Sequence, residues 1–254
     1  VSQSAAKKPD YGNWVSARLI YLPGAAALVF AGLSLLLPWL AIVAVILFLC
    51  VAYFAYARYR FSPRGGDLQG KIQALLLDNF EWDGQGKVID IGCGSGALSV
   101  MVAKEYPNAH VTGVDYWGAA WDYSLGTCQR NADIEGVGNR VVFQEASASS
   151  LPFEDGSFDA AVSNVTFHEV HDVKDKRLLI KEAFRVVRKG GSFGFQDLFL
   201  WKRVYGETDD LLQTIRSWGM DKVELVDTSR SPFIPRALKL PFMVGTLGIL
   251  RGRK

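Results

Sequence analysis

"VIDIGCGSG", Val88–Gly96, changes character at its midpoint: a β-branched apolar run ends on Asp90, three glycines follow at every second position, and "ALSVMVAKEY" then takes up helical spacing. This reads as a strand, a tight turn and a helix start. Glycines at 92, 94 and 96 let the backbone bend sharply and approach a ligand closely, and the amides at the helix start suit an anionic group. With Ala97 the loop also fits G-x-G-x-x-A, the dinucleotide pattern, and that pattern too expects an acid at the end of the next strand, where Asp115 stands. The loop alone therefore leaves two cofactor classes open.

On both sides of the loop, short β-rich runs alternate with amphipathic stretches. "KIQALLLDNF" reads as a helix before it, and "HVTGVD", "RVVFQE", "FDAAVSN", "GSFGFQD" and "KVELVD" read as strands after it. The helices between them fall in "DYSLGTCQRNADIEG", "DKRLLIKEAFRVV" and "DDLLQTIRSWG", while "GTLGILRGR" supplies a last, antiparallel strand. Such alternation predicts an α/β domain, a mostly parallel sheet with helices on both faces and ligands outside the carboxyl ends of its strands. "RFSPRGGD", residues 60–67, reads as the linker in front of it, which places this domain at 65–254 and a separate segment at 1–64.

Four motifs recur in a fixed order: "VIDIGCGSG", "VTGVD", "LPFEDGSFDAAVSN" and "EAFRVVRKGGSFGFQD". In that order, from Lys71 to about Asp227, the chain resembles the class I S-adenosylmethionine-dependent methyltransferases, and among them the ubiquinone/menaquinone-biosynthesis-like group. The resemblance implies a seven-stranded Rossmann-like sheet and S-adenosylmethionine as cofactor. It places Gly92, Gly94 and Gly96 along the methionine part of the cofactor, Asp90 near its ammonium end, Asp115 on the two ribose hydroxyls and Tyr116 on the adenine face. Ser147, Ala148 and Asn164 complete the implied cofactor-binding set. One departure stands out: where relatives often carry "GDA", this chain has "EASASSLPF", so Ser147 replaces the Asp that would reach the adenine amino group. A hydroxyl still accepts a hydrogen bond. "DYWGAAWDYS" and the tail "FIPRALKLPFMVGTLGILRGRK" resemble a membrane-anchored prokaryotic branch of the family.

"SNVTFHEVHD", residues 163–172, follows the fourth strand and bunches His168, Glu169, His171 and Asp172. The second His comes three residues after the first, so this is not the zinc pattern H-E-x-x-H, and no metal is expected. His168 is either a general base or a residue that positions the acceptor, Glu169 is a weaker candidate for proton transfer, and His171 and Asp172 are expected to cap the next helix. "FGFQD" brings Gln196 and Asp197 to the same end of the sheet, as acceptor contacts or as caps. Trp117 and Trp121 share a helix face, either over the cofactor entrance or in the core.

Leu19–Phe61 carries no charge until Arg58. That run exceeds the ~20 apolar residues of one span and suits two short ones divided at Pro38, a transmembrane hairpin; one tilted span with an interfacial helix, or a buried soluble hairpin, are the alternatives. Lys7, Lys8 and Arg18 before it and Arg58, Arg60 and Arg64 after it place both flanks in the cytoplasm, which predicts a multi-pass protein of the cytoplasmic membrane. Residues 1–64 hold six basic and one acidic side chain and residues 230–254 six basic and none acidic, against sixteen basic and twenty-five acidic between them. Basic ends around an acidic body suit an anionic bilayer as partner and not nucleic acid. The tail at 231–243 reads as a headgroup contact or as a lid over the substrate. Cys50, Cys93 and Cys128 form no C-x-x-C pair and indicate neither a disulfide framework nor zinc. The expected activity is methyl transfer to a lipophilic or small acceptor, with an inactive cofactor-binding scaffold or a dinucleotide-dependent oxidoreductase as alternatives.

Overall fold

The computed structural model describes residues 8–117 and 124–254. They form two compact units, one of Asn13–Ile72 and one of Val1–Gly12 with Gln73–Lys254.

In the first unit, helices α1 (Arg18–Leu33) and α2 (Leu40–Phe61) form a hairpin. Gly24 lies against Val51 at mid-height, and Ala27 and Ala44 are buried, so small residues let the two backbones approach. Ser34 ends α1 by donating its hydroxyl to Ala31 O at 2.6 Å, and turns through Pro38 lead into α2. Leu35, Leu36, Trp39, Ile42 and Leu49 stand out from the hairpin, Leu35 with 88% of its surface exposed. At 1.5 Å per residue, the 16 residues of α1 cover about 24 Å and the 22 of α2 about 33 Å. Among the described residues, only α2 is long and apolar enough to cross a membrane, by length and composition. The expected helical hairpin forms, but two short spans and a multi-pass chain are not supported: the turn takes up residues 34–39, and α1 is left short of the ~30 Å hydrocarbon layer. The stretch read as a linker is also tighter than expected. Pro63–Gly65 is a turn of 3-10 helix, and a Cβ on Gly65 would sit 1.6 Å from Tyr59 O, so only glycine fits.

The second unit is a seven-stranded mixed sheet, as the sequence predicts. Strands β1 (Gly86–Ile91), β2 (Ala109–Asp115), β3 (Val141–Glu145), β4 (Phe158–Asn164), β5 (Val187–Asp197), β6 (Lys222–Asp227) and β7 (Gly248–Arg253) are ordered 3-2-1-4-5-7-6, with β7 antiparallel to both neighbours. Helix α3 (Leu68–Asp78) precedes β1, and α4 (Ala97–Glu105), α5 (Leu125–Ile134), α6 (Arg177–Val186) and α8 (Thr208–Ser217) connect strands, with a short α7 (Lys202–Tyr205) that the sequence reading missed.

Alternation along β1 divides the core. Val88 joins Leu76, Phe80, Leu98, Val102 and Val162 on one face, and Ile89 joins Ala161, Ile180, Phe184, Phe193 and Phe195 on the other. Phe184 and Phe193 meet at 4.7 Å between ring centroids, and each ring buried so fully contributes about 1.5–3 kcal/mol. Strand order reverses between β1 and β4, so a crevice opens at their carboxyl ends.

Candidate active site

Four loops meet at that crevice. After β1, Gly92 (φ 75°), Gly94 (φ 56°) and Gly96 (φ 80°) turn the chain into α4. A Cβ on Gly92 would lie 2.1 Å from Thr166 Cγ2, so the loop after β4 packs against bare backbone there. Asp115, at the end of β2, accepts from Gly94 N at 2.8 Å through Oδ2 and from Trp117 N at 2.9 Å through Oδ1. A carboxylate has about four lone-pair sites, so both oxygens keep capacity for ribose hydroxyls. The Trp117 indole donates to Gly94 O at 2.8 Å from a backbone with φ 43°, not from a helix face; Trp121 lies outside the described residues. Tyr116 is 68% exposed beside it. The amide of Asn131 ties residues 8–12 to this loop: its Nδ2 donates to Asp10 O at 2.7 Å and to Ser95 O at 3.0 Å, while Ser95 Oγ donates to Tyr11 O at 3.1 Å. Sequence reasoning missed both residues, because a polar side chain inside a helix pattern looks like any solvated one.

Asp90 is fully buried. Its Oδ2 accepts from Ser99 Oγ at 2.6 Å and its Oδ1 has no partner. Burial, only partly offset by Ser99 and reinforced by Asp115, pushes its carboxyl up to about 7. Asn164 Oδ1, at the end of β4 on the same face, is buried and unpartnered too. Two oxygens that need a donor fit the ammonium group of an amino-acid-bearing cofactor. A cation there favours the carboxylate, so cofactor binding should strengthen as pH rises through about 7 and release up to one proton. Calorimetry in buffers of different ionisation enthalpy measures that release; it should vanish in Asp90→Asn, and a wild type that releases no proton at pH 6.5 removes this reading of Asp90.

After β3, Ser147 Oγ meets Ser149 Oγ at 2.8 Å, Ser149 Oγ bonds Asp172, and Ala148 is buried. Asp172 thus holds the loop after β3 and does not cap α6, whose N-cap is Lys176. Val165, β-branched at φ 56°, sits between Asn164 and Thr166 and donates its amide to Gln196 O at 2.7 Å. Strain of this kind collects where the surrounding structure demands a special geometry.

His168 lies beyond that turn, on the face of the sheet that holds Phe193 and Phe195. Its Nδ1 meets Asp197 Oδ1 at 2.7 Å and its Nε2 meets Glu169 Oε1 at 3.2 Å. His168, Glu169 and Asp197 therefore form one cluster. Asp197 is wholly buried and also accepts from Leu198 N at 2.6 Å, so its carboxylate serves His168 and the backbone. Burial alone would lower His168, but the Asp197 carboxylate, with Glu169, outweighs it and lifts the imidazole to about 10. At neutral pH the ring is an imidazolium without a free lone pair, and a base role would require it to lose that proton first. The Tyr205 phenol of α7 is pushed well up by burial and then by Asp197, a neighbour that no sequence motif announces.

Comparison with known proteins agrees with this geometry. Residues 88–191 match the family described as a methyltransferase domain. The chain is 32% identical over 161 residues to sterol 24-C-methyltransferase ERG6B of Gibberella zeae, covering 63% of this chain and 40% of that one. It is 31% identical over 167 residues to ribosomal RNA small subunit methyltransferase C of Klebsiella pneumoniae, covering 64% and 46%. It thus spans less than half the length of these curated relatives. Geranyl diphosphate C-methyltransferase of Streptomyces coelicolor A3(2), solved with Mg2+, geranyl diphosphate and S-adenosyl-L-homocysteine, shares the fold at a TM-score of 0.56 and 16% identity, over 75% of this chain and 80% of that chain. Residues 88–191 are a methyltransferase domain of the class I kind, for which S-adenosylmethionine is the methyl donor.

Proposed function

We propose that the protein is a membrane-anchored enzyme that moves a methyl group from S-adenosylmethionine to a lipophilic acceptor at the cytoplasmic face of the membrane. The observation that carries this reading is the α1–α2 hairpin, whose large apolar side chains stand unburied in the same chain as a methyltransferase domain. Contiguous exposed apolar surface of that kind marks a membrane or partner contact. In this reading α2 crosses the hydrocarbon and α1 is its short leg, with Arg18 reaching the headgroups; a bilayer adjusts to such a mismatch at modest cost. The tail at 231–243 would add a second contact through exposed Leu240 and Phe242, close in sequence to Arg236 and Lys239, while Ile234 and Leu238 are buried in the protein.

Methyl transfer from a sulfonium is an in-line displacement, so the protein mainly has to align donor and acceptor at ~3–3.5 Å. Asp90, Asn164 and Asp115 would hold the donor by its ammonium and ribose ends. The His168 cluster, one imidazolium between two carboxylates, would leave a net negative charge at the same end of the sheet. The test is to incubate the reconstituted full chain with methyl-labelled S-adenosylmethionine and a total lipid extract. Label should enter an organic-soluble small molecule; label found only in protein, nucleic acid or water-soluble products overturns the lipophilic reading.

A further inference from the structure

Alternation along β5 sends Phe193, Phe195 and Asp197 to the α6 face and Gly194 and Gln196 to the other, where a Cβ on Gly194 would come within 2.9 Å of Phe80 and 3.5 Å of Leu76. Gln196 is 1% exposed, and neither its Nε2 nor its Oε1 has a partner. Its Cα partner in β4 is Asn164, so the two side chains leave the sheet on one face, with Asp90 in the adjoining strand. Buried polar groups are nearly always bonded, and each one that is not costs about 1–3 kcal/mol. Three neighbouring side chains with unmet polar atoms at the carboxyl end of one sheet face are a row built for a ligand.

The row divides by chemistry. Asp90 and Asn164 each present an unpartnered oxygen there, and the Asp90 carboxylate adds charge, which suits the cofactor's ammonium. Gln196 offers a donor and an acceptor side by side, which neither needs nor favours a charged partner. We propose that Gln196 binds the neutral oxygen of the methyl acceptor, a hydroxyl or carbonyl on an otherwise apolar molecule, and so selects among lipophiles. The proposal rests on the reading of the acceptor given above. It decides between the two roles that the strand-end position leaves open for Gln196, acceptor contact or cap: Nε2 donates to the acceptor's oxygen, and Oε1 accepts from a hydroxyl where one is present. The apolar remainder of the acceptor faces the side of the sheet that carries Leu76 and Phe80.

The test uses the full chain in detergent micelles saturated with S-adenosylhomocysteine, and two probes of the same shape, 1-naphthol and naphthalene. Binding is read by saturation-transfer NMR in the wild type and in Gln196→Met, which keeps the volume and removes the amide. The wild type should prefer 1-naphthol by about tenfold relative to the variant in the same micelles, and the variant should treat the two probes alike. Because the amide has no protein partner to lose, Gln196→Met should also melt no lower than wild type and keep its affinity for S-adenosylhomocysteine within twofold. A melting point lower by more than about 3 °C would make Gln196 a structural residue. A weakened cofactor would make it a cofactor contact, and a wild type blind to the hydroxyl would remove the proposal outright. None of these readouts requires turnover. A failed lipid-labelling experiment with intact naphthol selectivity would count against the lipophilic substrate and leave the Gln196 site standing.

Discussion

Asp115→Ala is expected to bind S-adenosylhomocysteine about two orders of magnitude more weakly than wild type. Hydrogen bonds to a charged group contribute about 1.5–3 kcal/mol each, and two ribose hydroxyls lose their acceptor together. The same carboxylate holds Gly94 N and Trp117 N, so the glycine loop loses an anchor as well. Asp115→Asn, which keeps one acceptor oxygen without the charge, should fall between the two. Isothermal titration on variants that melt as wild type measures the loss, and unchanged affinity in Asp115→Ala would show that this carboxylate organises the loop without touching the cofactor.

The second large effect concerns the buried pair of His168 and Asp197. In Asp197→Asn the imidazole loses its main partner, so its pKa should fall well below about 10, with burial pulling it down against what Glu169 still contributes. NMR titration of ring-labelled histidine follows this directly, with His168→Gln to assign the signal among the three histidines. Leaving one member of a buried pair unmatched costs about 3–5 kcal/mol of stability. The sign with pH follows from the direction of each shift. His168 is raised, so its contribution is complete below about 6.5 and fades as pH climbs through about 10. Asp197 is lowered, burial opposing and His168 prevailing, so its contribution is present at neutral pH and lost only in acid. A wild-type His168 that titrates near 6.5 would restore the general-base role at neutral pH.

Much of this was legible in the sequence, and for definite reasons. Every predicted strand of the sheet forms, because "KVIDI", "FDAAVSN" and "GSFGFQD" are short, apolar and bounded by turn residues, and the antiparallel last strand sits where "GTLGILRGR" places it. The glycine loop and Asp115 come together because strand ends and the turns after them are local features. Side-chain pairs across the fold were not legible. Nothing in "FGFQD" says that Asp197 turns inward to His168 while Gln196 faces the opposite side, since that depends on which face each helix covers. At the N-terminus the division at Pro38 was legible, but hydropathy did not show that the turn already begins at Ser34, takes up six residues and leaves α1 the shorter helix.

Positions 196 and 197 are neighbours in the chain yet belong to different chemistries, one uncharged and unpartnered, the other ionised and fully engaged. A strand's side chains alternate with a period of two, so a single-residue insertion in Gly191–Phe195 would exchange them, driving an amide among the phenylalanines and a carboxylate into the acceptor row. Point substitution at 196, by contrast, leaves the imidazolium pair untouched. The strand is therefore brittle to changes of length and permissive to changes of letter at one position. A lineage can drift from one lipophile to another there without renegotiating the electrostatics beneath it.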